Sequence, residues 1–220
     1  MLWTSQHHYY PWPFDKEAEL EATIAEVKPA LFGESRIYLE VKKLIGEKGK
    51  TQNIPDGYLL DLSSPKRPVL YLVEVELGKH DPLRHIAQQL LNFSLSFKST
   101  PQKMKAILRD HLMRSPETVQ RCEVYAQANG FHNLDFLLEQ MIYKDNAFNC
   151  LVIIDELEDE LESILRSSLG FPVETLTRFS FQVQLDYGVA AEAVLGCDLP
   201  RYLAVLLRVA SSLKASTPPR

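Results

Sequence analysis

Residues 69–77 run Val69-Leu70-Tyr71-Leu72-Val73-Glu74-Val75-Glu76-Leu77, an apolar stretch broken by two carboxylates. β-Branched and aromatic residues favour extended backbone, so the segment is expected to be the most buried strand of a sheet. Side chains alternate along a strand, and Glu74 and Glu76 therefore share one face. A buried ionised acid is costly unless a counter-charge, hydrogen bonds or a metal ion compensates it. A fold that keeps this strand central must supply something to both glutamates, and a metal site is the first expectation.

The flanking pattern is mixed α/β. Asp15 reads as the N-cap of a helix with an acidic first turn and the apolar stripe Leu20, Ile24 and Val27, ending near Pro29. Residues 35–45 and 57–62 read as two strands before the third, with turns at 46–53 and 63–68. Asp81-Pro82 opens a helix through Phe97 with Leu83, Ile86, Leu90 and Phe93 on one stripe. A helical region follows from Pro101 to about Lys144, broken near Ser115-Pro116 and Asn129-Gly130. Residues 149–154 suit a buried strand, 156–169 an amphipathic helix and 172–185 a further strand. Residues 200–213 are apolar enough to dock as a helix or to pair with a second subunit, making a homodimer possible. Short turns between the first three strands suggest an antiparallel meander, and the strand-helix-strand crossings add parallel pairs. A mixed sheet flanked by helices is the expected class.

At 220 residues the chain is long enough for a sizeable core, and its net charge of −5 offers no global basic field for coating nucleic acid. An enzyme with an acidic metal site and local basic patches is compatible with that balance. Cys122, Cys150 and Cys197 form neither a zinc spacing nor a disulfide framework, which points to a reducing, cytoplasmic setting. The first residues lack a signal-peptide layout, and no run approaches the roughly 18 apolar residues of a membrane span. No membrane association is expected.

Asp56 lies in Ile54-Pro55-Asp56-Gly57, with 17 residues between it and Glu74, and a short hairpin would bring both to one end of the sheet. Two carboxylates about 4 Å apart repel by roughly 4 kcal/mol at an effective dielectric near 20. A divalent cation resolves that conflict, and hard oxygen ligands select Mg²⁺ or Mn²⁺. Such an ion activates water and stabilises phosphoryl charge, so phosphodiester hydrolysis is the natural chemistry. The plainer alternative makes 55–57 an ordinary turn and the glutamates an exposed strand face.

At these residues the chain resembles the PD-(D/E)XK nuclease superfamily, with its restriction-endonuclease-like fold. Pro55-Asp56 matches the first half of the motif and Glu74-Val75-Glu76 the second, with Glu76 in the lysine position. A family glutamate on the first helix matches Glu17 or, preferably, Glu21. Gln89-Leu90-Leu91-Asn92-Phe93 is similar to the Gln-x-x-x-Tyr of the RecB-like branch. The resemblance covers about residues 15–97 by motif and 149–185 by element order only.

It implies that Asp56, Glu74 and the Val75 carbonyl hold the metal, with Glu21 adding a carboxylate. Glu76 would take the place of the water-positioning lysine, and Gln89 would orient the site or touch substrate phosphate. The implied function is metal-dependent hydrolysis of nucleic acid, DNA by preference. Because a carboxylate cannot offset negative charge as an ammonium does, a catalytically inactive binding or assembly module is the alternative. Lys79, Lys42 and Lys43 are near enough in sequence to replace the missing cation, though a solvated position is the expectation for each. His80 and His85 are expected to serve turn, cap or core-edge roles. Lys98, Lys103, Lys105, Arg109, Arg114 and Arg121 would form a phosphate-holding surface if clustered beside the acids. The expected organisation is an N-terminal arm (1–14), an α/β domain (15–190, with a helical insertion at about 100–147) and a C-terminal helix and tail (191–220).

Overall fold

The apolar run with its two glutamates is the central strand of a five-stranded mixed sheet. The computed structural model describes residues 2–3, 8–11, 14–49, 51–79, 82–144, 148–156, 159–167, 171–177 and 181–184. In chain order the first elements are β1 (Leu2–Trp3), β2 (His8–Pro11), α1 (Glu17–Phe32), β3 (Arg36–Leu39), β4 (Ile45–Gly46) and β5 (Gln52–Asn53). Next come β6 (Gly57–Asp61), β7 (Val69–Glu76), α2 (Pro82–Ser99), α3 (Pro101–Leu112), α4 (Pro116–Asn129) and α5 (Leu134–Tyr143). The chain continues with β8 (Asn149–Ile154), α6 (Asp159–Ser167), β9 (Val173–Thr177) and β10 (Phe181–Gln184).

The main sheet has the order β3-β6-β7-β8-β9. Its first three strands form an antiparallel meander, as their short connections require, while β8 and β9 join in parallel through helical crossovers. Alternation along the strands splits the core in two. Leu70 and Leu72 face α2 and the later helices, together with Ile86, Leu90 and Phe93. Tyr71, Val73 and Val75 face the α1 stripe of Leu20, Ile24 and Val27. Both faces of β7 are thereby covered, which explains its almost unbroken apolar sequence.

Several boundaries differ from the sequence expectation. α1 starts at Glu17 with Lys16 at its cap and no side-chain capping bond; the Asp15 amide instead donates to Glu19 Oε2. The helix continues through Pro29 to Phe32. Pro29 gives up one hydrogen bond near the helix end, and burial of Leu31 and Phe32 on the same stripe outweighs that loss. The strand expected at 35–45 stops at Leu39, where the Val41 amide turns back onto the Leu39 carbonyl. Ile45–Gly46 then pairs with Gln52–Asn53 inside the segment expected to be only a turn. The strand expected at 172–185 is two strands in two sheets: β9 joins the main sheet, and β10 pairs with β2. The arm at the N-terminus is therefore paired rather than free, through β1, β2 and β10. The helix expected at 200–213 and the frayed tail lie outside the described residues. No helix among the described residues is long and apolar enough to cross a membrane.

Gly57 fixes the approach of β3 to β6. A Cβ there would sit 2.8 Å from the Tyr38 hydroxyl and 2.9 Å from the Leu39 carbonyl oxygen, closer than such atoms can come. Gly57→Ala is expected to destabilise the fold by about 1–3 kcal/mol through overpacking against backbone. Urea unfolding followed by circular dichroism measures it, and an unchanged midpoint would contradict this tight approach.

Candidate active site

The β6–β7 register determines where the acids meet. Gly57 pairs with Val73 and Asp61 with Val69, so one further step of the same register sets Asp56 opposite Glu74. Two backbone-level bonds fix that step: the Asp56 amide donates to the Val73 carbonyl at 3.1 Å, and the Val75 amide donates to Asp56 Oδ2 at 2.9 Å. Opposite residues of an antiparallel pair share a face. Asp56, Glu74 and Glu76 thus belong to one face at one end of the sheet.

Glu74 is 3% exposed, and its Oε2 is buried with no hydrogen-bond partner among the described residues. Burial, then the neighbouring charges of Asp56, Glu76 and Glu17, push its carboxyl up from 4.5 to about 9. Burial also raises Asp56, although the Val75 amide and the Lys42 ammonium pull the other way. Glu76 behaves oppositely. Burial opposes its ionisation, but hydrogen bonds from Glu17, His85 and the Leu77 amide hold the carboxyl below its ordinary value. Its Oε1 accepts from Leu77 at 3.0 Å, and its Oε2 lies 2.5 Å from His85 Nδ1.

The first helix contributes both of its candidate glutamates. Glu17, in the first turn of α1, meets Glu76, and Glu21, one turn later, binds Lys42 with both oxygens at 2.7 Å. The Lys42 ammonium also lies 3.1 Å from Asp56 Oδ1. Lys42 is exposed, in line with the expectation of a solvated position, and its ammonium also bridges two acids. The bend after Leu39 makes this possible by turning the chain off the sheet edge before Lys42. Lys79 donates to the carbonyls of Phe14 and Asp15, which ties the strand end to the start of α1.

Gln89 is half-buried on α2, and no hydrogen bond joins its side chain to the acids; its carbonyl accepts from the Asn53 side chain. The α2 residue that meets the cluster is His85, one turn earlier on the same helix face. That i,i+4 relation to Gln89 was the available sequence signal.

Among the described residues, no group of three or more His, Cys, Asp or Glu side chains is already gathered in the manner of a metal site. Lys42 and His85 hold three of the acids in other contacts. The donors nonetheless suit a hard divalent cation: Asp56 and Glu74 face each other, Glu74 retains an orphaned oxygen, and Val75 lies between the two glutamates. Comparison with family models, curated proteins and solved structures finds no match to this chain.

The Glu74 shift has a definite thermodynamic sign. Below about pH 4.5 the carboxyl is protonated in both the folded and unfolded chain, and it contributes no penalty. Between 4.5 and about 9 the unfolded chain ionises while the folded one keeps its proton, so stability falls as pH rises. Glu74→Gln removes that penalty. In EDTA the variant should gain stability over the wild type progressively from acid to alkaline pH, as read from urea midpoints. A difference that is constant with pH would show that Glu74 ionises freely.

Proposed function

We propose that the chain is a divalent-metal-dependent phosphodiesterase acting on nucleic acid, DNA by preference, on a restriction-endonuclease-like fold. The observation that carries the proposal is the opposition of Asp56 and Glu74, locked by the Asp56–Val75 hydrogen bond. Further support comes from the meander followed by parallel strands, with Asp56 at the entry to β6, Glu74 and Glu76 on β7, and glutamates on α1 beside them.

Asp56, Glu74 and the Val75 carbonyl would hold Mg²⁺ or Mn²⁺, and Glu21 would contribute a further carboxylate. When bound, the cation lowers the pKa of water and offsets charge on phosphoryl oxygens. The chain's own groups divide the remaining work. Lys42 supplies the positive charge that Glu76, in the lysine position, does not. It sits on the solvent side of Asp56 and can turn from Glu21 toward an anionic substrate. Glu76 acts as a positioning residue: its Oε2 anchors His85, and its Oε1 is committed to the Leu77 amide. Gln89, further along α2, remains a candidate contact to substrate phosphate.

One observation favours the alternative of a non-catalytic nucleic-acid-binding or assembly module. Lys42 already bridges Glu21 and Asp56, and His85 already hydrogen-bonds Glu76, within the protein itself. The two readings part on metal dependence. The enzyme should cleave DNA with Mg²⁺ or Mn²⁺ and lose at least about a hundredfold in rate on Asp56→Asn or Glu74→Gln, the scale of removing an electrostatic contact to the reacting group. Cleavage of a fluorescent oligonucleotide over a metal titration measures this. Activity that survives both substitutions would remove Asp56 and Glu74 from the chemistry. Absence of cleavage together with no metal-induced rise in Tm would favour the module.

A further inference from the structure

A second concave feature lies on the outer side of β3. A cavity of about 850 Å³ lies between the C-terminal half of α1, the edge strand β3 and the corner joining α3 to α4. Its walls carry four cations, Lys28, Arg36, Arg114 and Arg121, against two carboxylates, Glu34 and Glu117. That excess is local, in a chain whose net charge is −5. We propose that this groove binds the phosphodiester backbone of a single nucleic-acid strand leading into the carboxylate cluster, an inference that rests on the nuclease reading above.

The four cations have different duties. Arg121 donates to the carbonyls of Glu34 and Arg36, closing the open edge of β3, so it is mainly structural. Arg36 is paired with Asp61 at 2.7 Å. Lys28 holds Glu40 at 2.7 Å in an exposed ion pair, the kind that contributes little and exchanges readily for a phosphate. Arg114 has no carboxylate partner among the described residues, and its guanidinium fork suits phosphate oxygens. Of the other basic residues of the helical region, Lys105 and Arg109 are engaged by Asp135 and Glu139, away from this groove.

Tyr38 lies between the groove and the end of the sheet that carries the acids. This residue lines the cavity, its hydroxyl packs over Gly57 beside Asp56, and its ionisation is opposed by burial and then by Asp56, Glu40 and Glu21. A strand lying along β3 would therefore reach Asp56 and Lys42 at the end of the groove. The volume is that of a ligand cleft rather than a seat for a duplex. Among the described lining residues Tyr38 is the only phenyl-bearing side chain and is nearly buried, so a phenyl stacking platform is not offered to bases there. Recognition is thus of the backbone and indifferent to sequence.

His111 reports the field inside. Burial lowers its pKa, as do Arg114, Lys28 and Lys43, with only Glu40 opposing them. A phosphate placed among these groups would favour the imidazolium, so affinity should rise as pH falls.

Fluorescence anisotropy of a labelled single-stranded oligodeoxynucleotide in EDTA tests the groove without requiring cleavage. Arg114→Glu should weaken binding about tenfold and lower the slope of log affinity against log salt by about one. Lys103→Glu, an equal charge change on the exposed side of α3, should leave both nearly unchanged. The gain in wild-type affinity between about pH 8 and pH 6 should disappear in His111→Gln. Thermal melts show whether each variant is folded, and Arg114→Gln substitutes where the reversal is not tolerated. Equal binding by Arg114→Glu and Lys103→Glu overturns the groove, as does absence of wild-type binding at low salt or tighter binding of a blunt duplex. Groove-dependent binding without metal-dependent cleavage would keep this inference and reject the nuclease, whereas cleavage indifferent to Arg114 would do the reverse.

Discussion

One hydrogen bond, from the Val75 amide to Asp56, holds together two requirements that would otherwise conflict. The β6–β7 register demands that Asp56 stand opposite Glu74, and electrostatics demands that two acids stand apart. At about 4 Å and an effective dielectric near 20, the repulsion is roughly 4 kcal/mol, comparable with a large share of a domain's net stability. A backbone donor at 2.9 Å favours the ionised form of Asp56, and Glu74 avoids the conflict by retaining its proton. The pair is tolerable without a cation because only one member carries full charge.

The same logic explains why Glu76 differs from Glu74 although both lie on one face of one strand. Glu76 sits at the strand end, where the Leu77 amide, Glu17 and His85 converge on it, whereas Glu74 lies one pleat deeper with an oxygen that no described residue hydrogen-bonds. A side chain satisfied on both oxygens is suited to positioning its neighbour. A side chain with an unused buried oxygen is suited to receiving a new partner. Proximity along β7 therefore does not make the two glutamates equivalent, and their opposite pKa shifts express that difference.

Much of this was legible in the chain. The central strand was readable because seven of the nine residues 69–77 are apolar, the pattern of a doubly covered strand, and the meander followed from turns too short for crossovers. Pairing of Asp56 with Glu74 followed from the same alternation. The contributions that escaped prediction depend on three-dimensional closure. Lys42 becomes a site residue only because the strand ends at Leu39 and bends, and nothing in its charged surroundings marks that break. His85 required knowledge of which face of α2 meets the strand end. Pro29 looked like a terminator because local propensity was weighed without the two apolar residues beyond it, whose burial decides the matter.

With a glutamate rather than a cation at position 76 of β7, the positive charge beside the acids comes from elsewhere. A lysine on β7 would sit within the buried wall of the sheet, where desolvation disfavours its charged form. Lys42 comes instead from the bend beyond an edge strand, with half of its side chain in solvent and two carboxylates raising its proton affinity against a smaller burial penalty than a central position would impose. It remains a cation at any working pH. In such an arrangement the strand-end position on β7 is free to orient an imidazole, and the positive charge is kept at the rim, where moving it costs little solvation.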